Sequence, residues 1–281
     1  MKLPFFPLFR VCGRDGYYYL PALVHSRHSL IPTVLYNSAM PNSGPSLVAD
    51  APATGIMVQT EKRGRWLEVA LVLIIAFGSS LLYSLYYLKN GPPHDSSVSS
   101  LRYVAQSLQQ ASTLLLLGYV LSRRGLGFRS IGLQWSLTDV SVGTILAIIS
   151  YVVYGFGYEF IRTFHHAMLG TDSTARNVFG HPPVVMAIAF CLLNPFFEEL
   201  VVRAYLMTEV AELTGSTLSA VILSVLVQFS CHLYYGWAGA ISLSFQFLIY
   251  ALYFARWRRA VPIIIAHGFF DVYGMLRLLG H

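Results

Sequence analysis

Long apolar runs dominate this sequence and restrict it to one class of fold. A helix needs about 20 mainly apolar residues to cross the hydrocarbon core of a bilayer. Seven runs approach that length, with approximate bounds 66–88, 103–121, 140–161, 184–207, 218–235, 238–255 and 261–279. The sequence therefore predicts an all-α integral membrane protein, a bundle of about seven transmembrane helices in a lipid bilayer.

The overall composition agrees with a membrane protein. Of the 281 residues, 55% are hydrophobic and 11% are charged, whereas a soluble domain carries about 25% charged residues. The net charge is +6, but the basic residues lie at the ends of apolar runs, which indicates topology and points away from nucleic acid as a partner. The spacing of Cys12, Cys191 and Cys231 fits neither a disulfide framework nor a metal site.

Three basic clusters predict the orientation in the membrane. They precede the first run, follow the second and follow the sixth, so seven helices place all three on one side. The clusters are Lys62/Arg63/Arg65, Arg123/Arg124/Arg129 and Arg256/Arg258/Arg259. By the positive-inside rule this side is cytoplasmic. We expect the plasma membrane, with the segment before the first run inside and the C-terminus outside.

Residues 1–60 differ from the rest of the chain, because they contain no apolar run long enough to span a bilayer. We expect this segment to be disordered, or not translated at all. In the second case synthesis would begin at Met57, which opens a short basic tail. A soluble regulatory or targeting tail is the alternative. The transmembrane domain is then 61–281, with its motif core at 184–281.

Ionisable residues interrupt the run 184–207. Glu198, Glu199 and Arg203 lie within it, and each charge costs about 2.5–3.5 kcal/mol at the centre of a membrane helix. Glu199 and Arg203 are four apart, the favoured spacing for an ion pair. Glu198 is rotated from Glu199 by about 100°, so we expect it to face a cavity. The alternative is that all three residues only fix this helix to its neighbours.

Further polar residues occur in three other runs. His267 and Asp271 are four apart and share a helix face, whereas His232 stands near the outer end of its own run. A carboxylate can act as general base, and imidazoles can hold a metal or stabilise an oxyanion. Counted along their runs, Glu198 and His267 lie at a similar depth in the bilayer, but His232 does not. Either the helix of His232 continues past Gly236 or the fold there is irregular. The polar first half of run 103–121 predicts a helix that faces the bundle: Gln106, Ser107, Gln109 and Gln110.

The order of these motifs resembles a known family. Glu198-Glu199-x-x-x-Arg203, then a histidine that closes a run, then His267-x-x-x-Asp271 is similar to the CAAX prenyl endopeptidase and bacteriocin-processing (CPBP, or ABI) family of intramembrane proteases. The resemblance covers about residues 100–280, and residues 128–133 look like that family's segment before the core.

Two motifs depart from the family pattern. The family's second motif is usually Phe-x-x-x-His, whereas Gln228 stands four residues before His232 here. Val202 and Ala204 replace the Phe and Gly that often flank the motif arginine.

The resemblance implies an intramembrane endopeptidase that hydrolyses a membrane-associated or prenylated peptide. Its catalytic residues would be Glu198, Glu199, Arg203, His232, His267 and Asp271. By this resemblance, Glu198 of this chain would activate water, and His232 would assist it or bind a metal. Zn²⁺, held by Glu198, His232 and His267, is one form of the mechanism, and a glutamate mechanism without metal is the other.

Two other interpretations fit the same polar cluster. One is a transporter or scaffold whose buried charges line a pathway. The other is an inactive family member that binds a peptide without cleaving it, for which the altered second motif leaves room.

Overall fold

The computed structural model describes residues 53–91, 100–164, 179–180 and 183–279, with side chains described from residue 61 to residue 277 within these ranges. Over these ranges the chain forms seven helices and no strand, which confirms the predicted all-α bundle. The helices are α1 (Ala53–Asn90), α2 (Ser100–Arg123), α3 (Thr138–Phe164), α4 (Val184–Thr214), α5 (Thr217–Cys231), α6 (Gly236–Trp257) and α7 (Val261–Leu279).

Four helical stretches in the described ranges are long and apolar enough to cross a membrane. They are Glu61–Asn90, Thr138–Phe164, Val184–Thr214 and Leu233–Trp257. The protein is therefore an integral membrane protein. The predicted domain boundary at residue 60 falls inside α1, because charged residues that favour helix extend the helix beyond its apolar part. Most of the segment 1–60, up to residue 52, lies outside the described residues.

The helix α4 carries the glutamates and changes its backbone form at that point. It is α-helical over Val184–Glu198, a π-helix over Glu199–Leu206 and α-helical again over Met207–Thr214. Pro195 lies inside the first part and has no N–H to donate to the carbonyl four residues earlier. All residues of the π segment are buried. The first part of α4 packs against α2 and α7, and the π segment packs against α5 and α6.

An ion-pair network joins α1, α2 and α4 at one end of the bundle. The buried Glu209 carboxylate accepts hydrogen bonds from Arg65 and from Arg124, each with an N–O distance of 2.8 Å. Arg124 also pairs with Glu68, and Arg65 pairs with Glu212 at 2.6 Å.

The third basic cluster reaches the same end. Arg258 donates a hydrogen bond to Thr208 of α4 at 2.8 Å, one residue before Glu209. Arg259 pairs at 2.8 Å with Asp139 in the first turn of α3. Residues from all three basic clusters therefore lie at one end of the molecule, as an alternating seven-helix topology requires.

The connection between α2 and α3 is fixed to the turn between α6 and α7 through Gly132. The Gly132 carbonyl accepts a hydrogen bond from the Ala260 amide at 2.9 Å. Gly132 has φ +102°, and a Cβ atom there would lie 2.5 Å from the Arg258 carbonyl oxygen. Both the backbone conformation and the close approach require glycine at this position.

Candidate active site

A cavity of about 370 Å³ is lined by residues of α1, α2, α4 and α7 and of the turn after α5. Four of the six predicted site residues lie in its wall: Glu198, His232, His267 and Asp271. The other two, Glu199 and Arg203, are fully buried. The folded chain thus brings together residues that are up to 73 positions apart in sequence, from Glu198 to Asp271.

The carboxylate of Glu198 is buried at the cavity wall, in the last position before the π segment. Its Oε2 accepts a hydrogen bond from Gln228 Nε2 at 3.0 Å. Gln228 is itself fully buried on α5. The described residues give Glu198 no cationic partner, so a neutral amide holds this carboxylate in place and leaves its charge uncompensated.

The carboxylate of Glu199 is held between two basic side chains. Its Oε2 lies 3.3 Å from Arg203 Nε, which agrees with the ion pair predicted from the spacing. Its Oε1 accepts a hydrogen bond from His267 Nδ1 at 2.7 Å. The Arg203 guanidinium also lies over the Phe247 ring, 5.1 Å from its centroid. Glu199 therefore connects the buried cation to the histidine of α7.

A chain of polar contacts runs from His267 across the cavity wall to α2. His267 Nε2 lies 3.5 Å from Asp271 Oδ1, Asn194 Nδ2 donates to Asp271 Oδ2 at 3.0 Å, and Gln110 Nε2 donates to Asn194 Oδ1 at 2.7 Å. A carboxylate only accepts hydrogen bonds, so Asp271 fixes the amide of Asn194, and Asn194 in turn fixes the amide of Gln110. Among the described contacts, only one of the two Nδ2 hydrogens of Asn194 is used.

His232 lies where helical structure is interrupted. The helix α5 ends at Cys231, a 3-10 turn covers Leu233–Tyr235, and α6 begins at Gly236, which has φ +79°. Of the two alternatives for the mismatched depth of His232, the irregular one is confirmed. The His232 ring stacks on Tyr235 with 6.1 Å between centroids.

The hydrogen bonding of His232 fixes the roles of its two nitrogens. Nδ1 lies 2.8 Å from the backbone carbonyl of Gln228, which can only accept. Nδ1 is therefore the donor, and Nε2 is the nitrogen left for chemistry in the cavity. Gln228 thus positions Glu198 with its side chain and His232 with its backbone.

The described residues do not by themselves form a metal site. Within the described ranges no three His, Cys, Asp or Glu side chains converge as metal ligands. His267 Nδ1 is bound to Glu199, so only its Nε2 could be a ligand, and His232 Nδ1 is likewise engaged. A zinc site made of Glu198, His232 and His267 would need these side chains to move together.

The structure adds site residues that the sequence analysis did not single out. Gln228 was noted only as a departure from the family motif, although its spacing of four from His232 predicts a shared face within the run 218–235. Asn194 stands four residues before Glu198, a spacing that predicts a shared helix face. Gln110 belongs to the polar half of α2, and its contact with Asn194 bears out the expectation that this half faces the bundle.

Comparison with known proteins finds a family model that matches part of the chain. Residues 180–273 match the family model described as Rce1-like, type II CAAX prenyl endopeptidase. No curated protein and no solved structure matches the chain. The matched range contains all six predicted site residues, and the match confirms the resemblance to CAAX proteases. It supports a membrane peptidase of the CAAX protease kind.

Proposed function

We propose that this CAAX-protease-like membrane domain is an endopeptidase that hydrolyses a membrane-associated or prenylated peptide inside the cavity. The observation that carries the proposal is the position of Glu198. A buried carboxylate faces a cavity, is held by a neutral amide, and shares the cavity wall with two histidines and Asp271. A carboxylate without a cationic partner is free to take a proton from water.

In this reaction Glu198 acts as general base and then as general acid. It removes a proton from a water molecule whose oxygen attacks the carbonyl carbon of the peptide bond. The carbonyl oxygen becomes an oxyanion in the tetrahedral intermediate. The proton held by Glu198 then passes to the amide nitrogen as the C–N bond breaks, which restores the carboxylate and releases an acid and an amine.

The remaining wall residues orient the water and stabilise charge. His232 Nε2 can hold the attacking water next to Glu198. The Asn194 hydrogen that Asp271 does not use is suited to donate to the oxyanion, and removal of one such donor typically lowers kcat by about 10²–10³. His267 and Asp271 keep Asn194 in position, and Glu199 with Arg203 fixes His267.

The test of the proposal is cleavage of candidate peptides by the purified protein. Glu198→Gln is expected to abolish cleavage while its expression and monodispersity in detergent stay near wild type. Glu159→Gln is the matched control, because Glu159 is an exposed carboxylate on α3 and is not among the described residues that line the cavity. Peptide binding without cleavage in the wild type would favour an inactive family member instead.

The role of Zn²⁺ is tested separately on the same proteins. His232→Ala and His267→Ala are each expected to reduce cleavage by a large factor. If the protein uses Zn²⁺, the metal content of the purified protein falls with both substitutions. Stoichiometric metal that survives both would rule out these histidines as ligands, and full activity of metal-free wild type would favour the glutamate mechanism.

We further propose that the end of the bundle formed by the three basic clusters is cytoplasmic, in the plasma membrane. The support is that Arg65, Arg124 and Arg258 all reach the same end of α4. The orientation is tested by introducing single cysteines at that end of the bundle and labelling intact cells with a reagent that does not cross the membrane. Labelling of these cysteines from outside the cell would show that the proposed orientation is reversed.

A further inference from the structure

Arg102 is a charged residue of the cavity wall that the proposed reaction does not use. It lies in the first turn of α2 and lines the same cavity as Glu198. Its guanidinium carbon is 5.1 Å from the centroid of the Tyr83 ring on α1. Within the described ranges no carboxylate forms an ion pair with it, whereas Arg65, Arg124 and Arg203 are all paired.

The environment of Arg102 suits a carboxylate ligand. An aromatic ring supports the flat face of a guanidinium through a cation–π contact and leaves the N–H groups at its edge free. Those N–H groups match the two oxygens of a carboxylate in a bidentate arrangement. We propose that Arg102 binds a carboxylate of the substrate peptide. This inference rests on the proposed function to the extent that it takes a peptide as the ligand.

The distance from Arg102 to the reacting groups fits a short peptide segment. Arg102 and Gln110 are eight residues apart on α2, which is about 12 Å along the helix axis. Gln110 contacts Asn194, whose amide also contacts Asp271. An extended peptide covers about 3.3–3.6 Å per residue, so three to four residues connect a carboxylate at Arg102 to the level of the reacting groups.

Two sources could supply this carboxylate, the C-terminus of the peptide or an Asp or Glu side chain. The experiment uses three fluorescent peptides. Two have one sequence and end in a free acid or in an amide, and the third is the amide with its last residue replaced by glutamate. Binding is measured by anisotropy to full-length Glu198→Gln protein in detergent, so that cleavage does not interfere. The same peptides are then tested for cleavage by protein with an intact Glu198.

Arg102→Gln is expected to weaken binding of the free acid roughly 10- to 100-fold, the range for a lost hydrogen bond to a charged group, and to leave the amide unchanged. Arg102→Lys keeps the positive charge but cannot form the bidentate hydrogen bonds of a guanidinium, so it should recover part of the lost affinity. Arg277→Gln is the matched control and should have no effect. Its guanidinium lies over Tyr273 at the same 5.1 Å but is not part of the cavity wall.

The peptides identify the source of the carboxylate. Preference for the free acid over both amides assigns the C-terminus, and recovery by the glutamate-ended amide assigns a side chain. Equal binding of acid and amide to the parent protein, equal weakening of both by Arg102→Gln, or no peptide binding would each overturn the proposal. Cleavage without any carboxylate preference would overturn it and leave the proposed function intact. Carboxylate-dependent binding without cleavage would do the reverse.

Discussion

Glu198 and Glu199 are neighbours in sequence, but their carboxylates have different partners. Consecutive helical residues point about 100° apart, so one side chain reaches the cavity and the other the interior between α4 and α7. Glu198 is held by the neutral amide of Gln228, and Glu199 by Arg203 and His267. In the proposed reaction the first carboxylate transfers the proton, and the second is a positioning group.

Gln228→Met is expected to lower the activity roughly 10- to 100-fold, because the amide that orients the Glu198 carboxylate is lost. The effect should appear in kcat and not in KM, since Gln228 is not among the described residues that line the cavity. Gln246→Met is the control. Gln246 is also buried, but its amide donates to Tyr250, and neither of these two residues is among the described residues that line the cavity. Steady-state kinetics measure kcat and KM for both variants. Equal losses of activity in the two variants would show that Gln228 has no special role.

Arg203→Met is expected to destabilise the protein by about 3–5 kcal/mol, because it leaves the carboxylate of Glu199 buried without its cation. Glu199→Gln should be destabilising too. Thermal melting in detergent measures both, beside Glu198→Gln, which we expect to melt near wild type. If Glu198→Gln unfolds the protein and Glu199→Gln has no effect, the roles assigned to the two glutamates are reversed.

At this scale the sequence predicted the ionisable residues but not the amides that hold them. Charges inside an apolar run are conspicuous because burial of a charge is costly. Gln228 and Asn194 are neutral, and a spacing of four from a site residue predicts a shared face but does not distinguish a site amide from one that packs in the bundle. Their roles depend on contacts with residues 30 and 77 positions away, Glu198 and Asp271.

At the scale of elements, helix number and order followed from hydropathy, but two backbone irregularities did not. The π segment of α4 carries Glu199 and Arg203, and the 3-10 turn after α5 begins directly after His232. The π segment lies inside a run that reads as a continuous apolar helix, whereas an irregular fold at His232 was one of two alternatives that the sequence left open. The backbone form of both segments depends on packing against neighbouring helices, a tertiary effect that overrides local propensity. Such irregular turns often occur at functional sites.

Gly132→Ala is expected to destabilise the protein more than Gly125→Ala. Gly125 also has a positive φ, +68°, but no atom lies within 4 Å of the position that an alanine methyl group would take, so alanine there costs only the backbone term, about 1–2 kcal/mol. At Gly132 the methyl group would also meet the Arg258 carbonyl oxygen at 2.5 Å. Melting temperatures in detergent compare the two, and equal shifts would show that the contact between the two connections adds nothing.

At the scale of the whole molecule, the ion pairs at one end connect elements that are far apart in sequence. Glu209 of α4 binds Arg65 of α1 and Arg124 after α2, and Arg259 binds Asp139 at the start of α3. The basic clusters that predict orientation therefore also fasten the helix ends to each other. The sequence could place these clusters on one side, but it could not identify the acidic partners.

Arg65 is the first residue of α1 with a described contact at this end of the bundle. A chain that lacks residues 1–56 keeps this contact, which leads to a prediction. A chain of residues 57–281 is expected to insert, melt and cleave like the full chain. It keeps Arg65 with its partners Glu209 and Glu212, every residue of the site, and all seven helices except the first residues of α1. The removed segment contains no apolar run that could span a bilayer, and removal of a terminus has little effect where few buried contacts are lost.

The matched control is a chain of residues 66–281, which also lacks Arg65. It should melt lower than the 57–281 chain, because Glu209 is buried and loses one of its two cations. Membrane insertion, melting temperature in detergent and cleavage are compared for the three chains. If 57–281 fails to insert or melts as low as 66–281, residues 1–56 contribute to the stability of the membrane domain, and the boundary of that domain lies before residue 57.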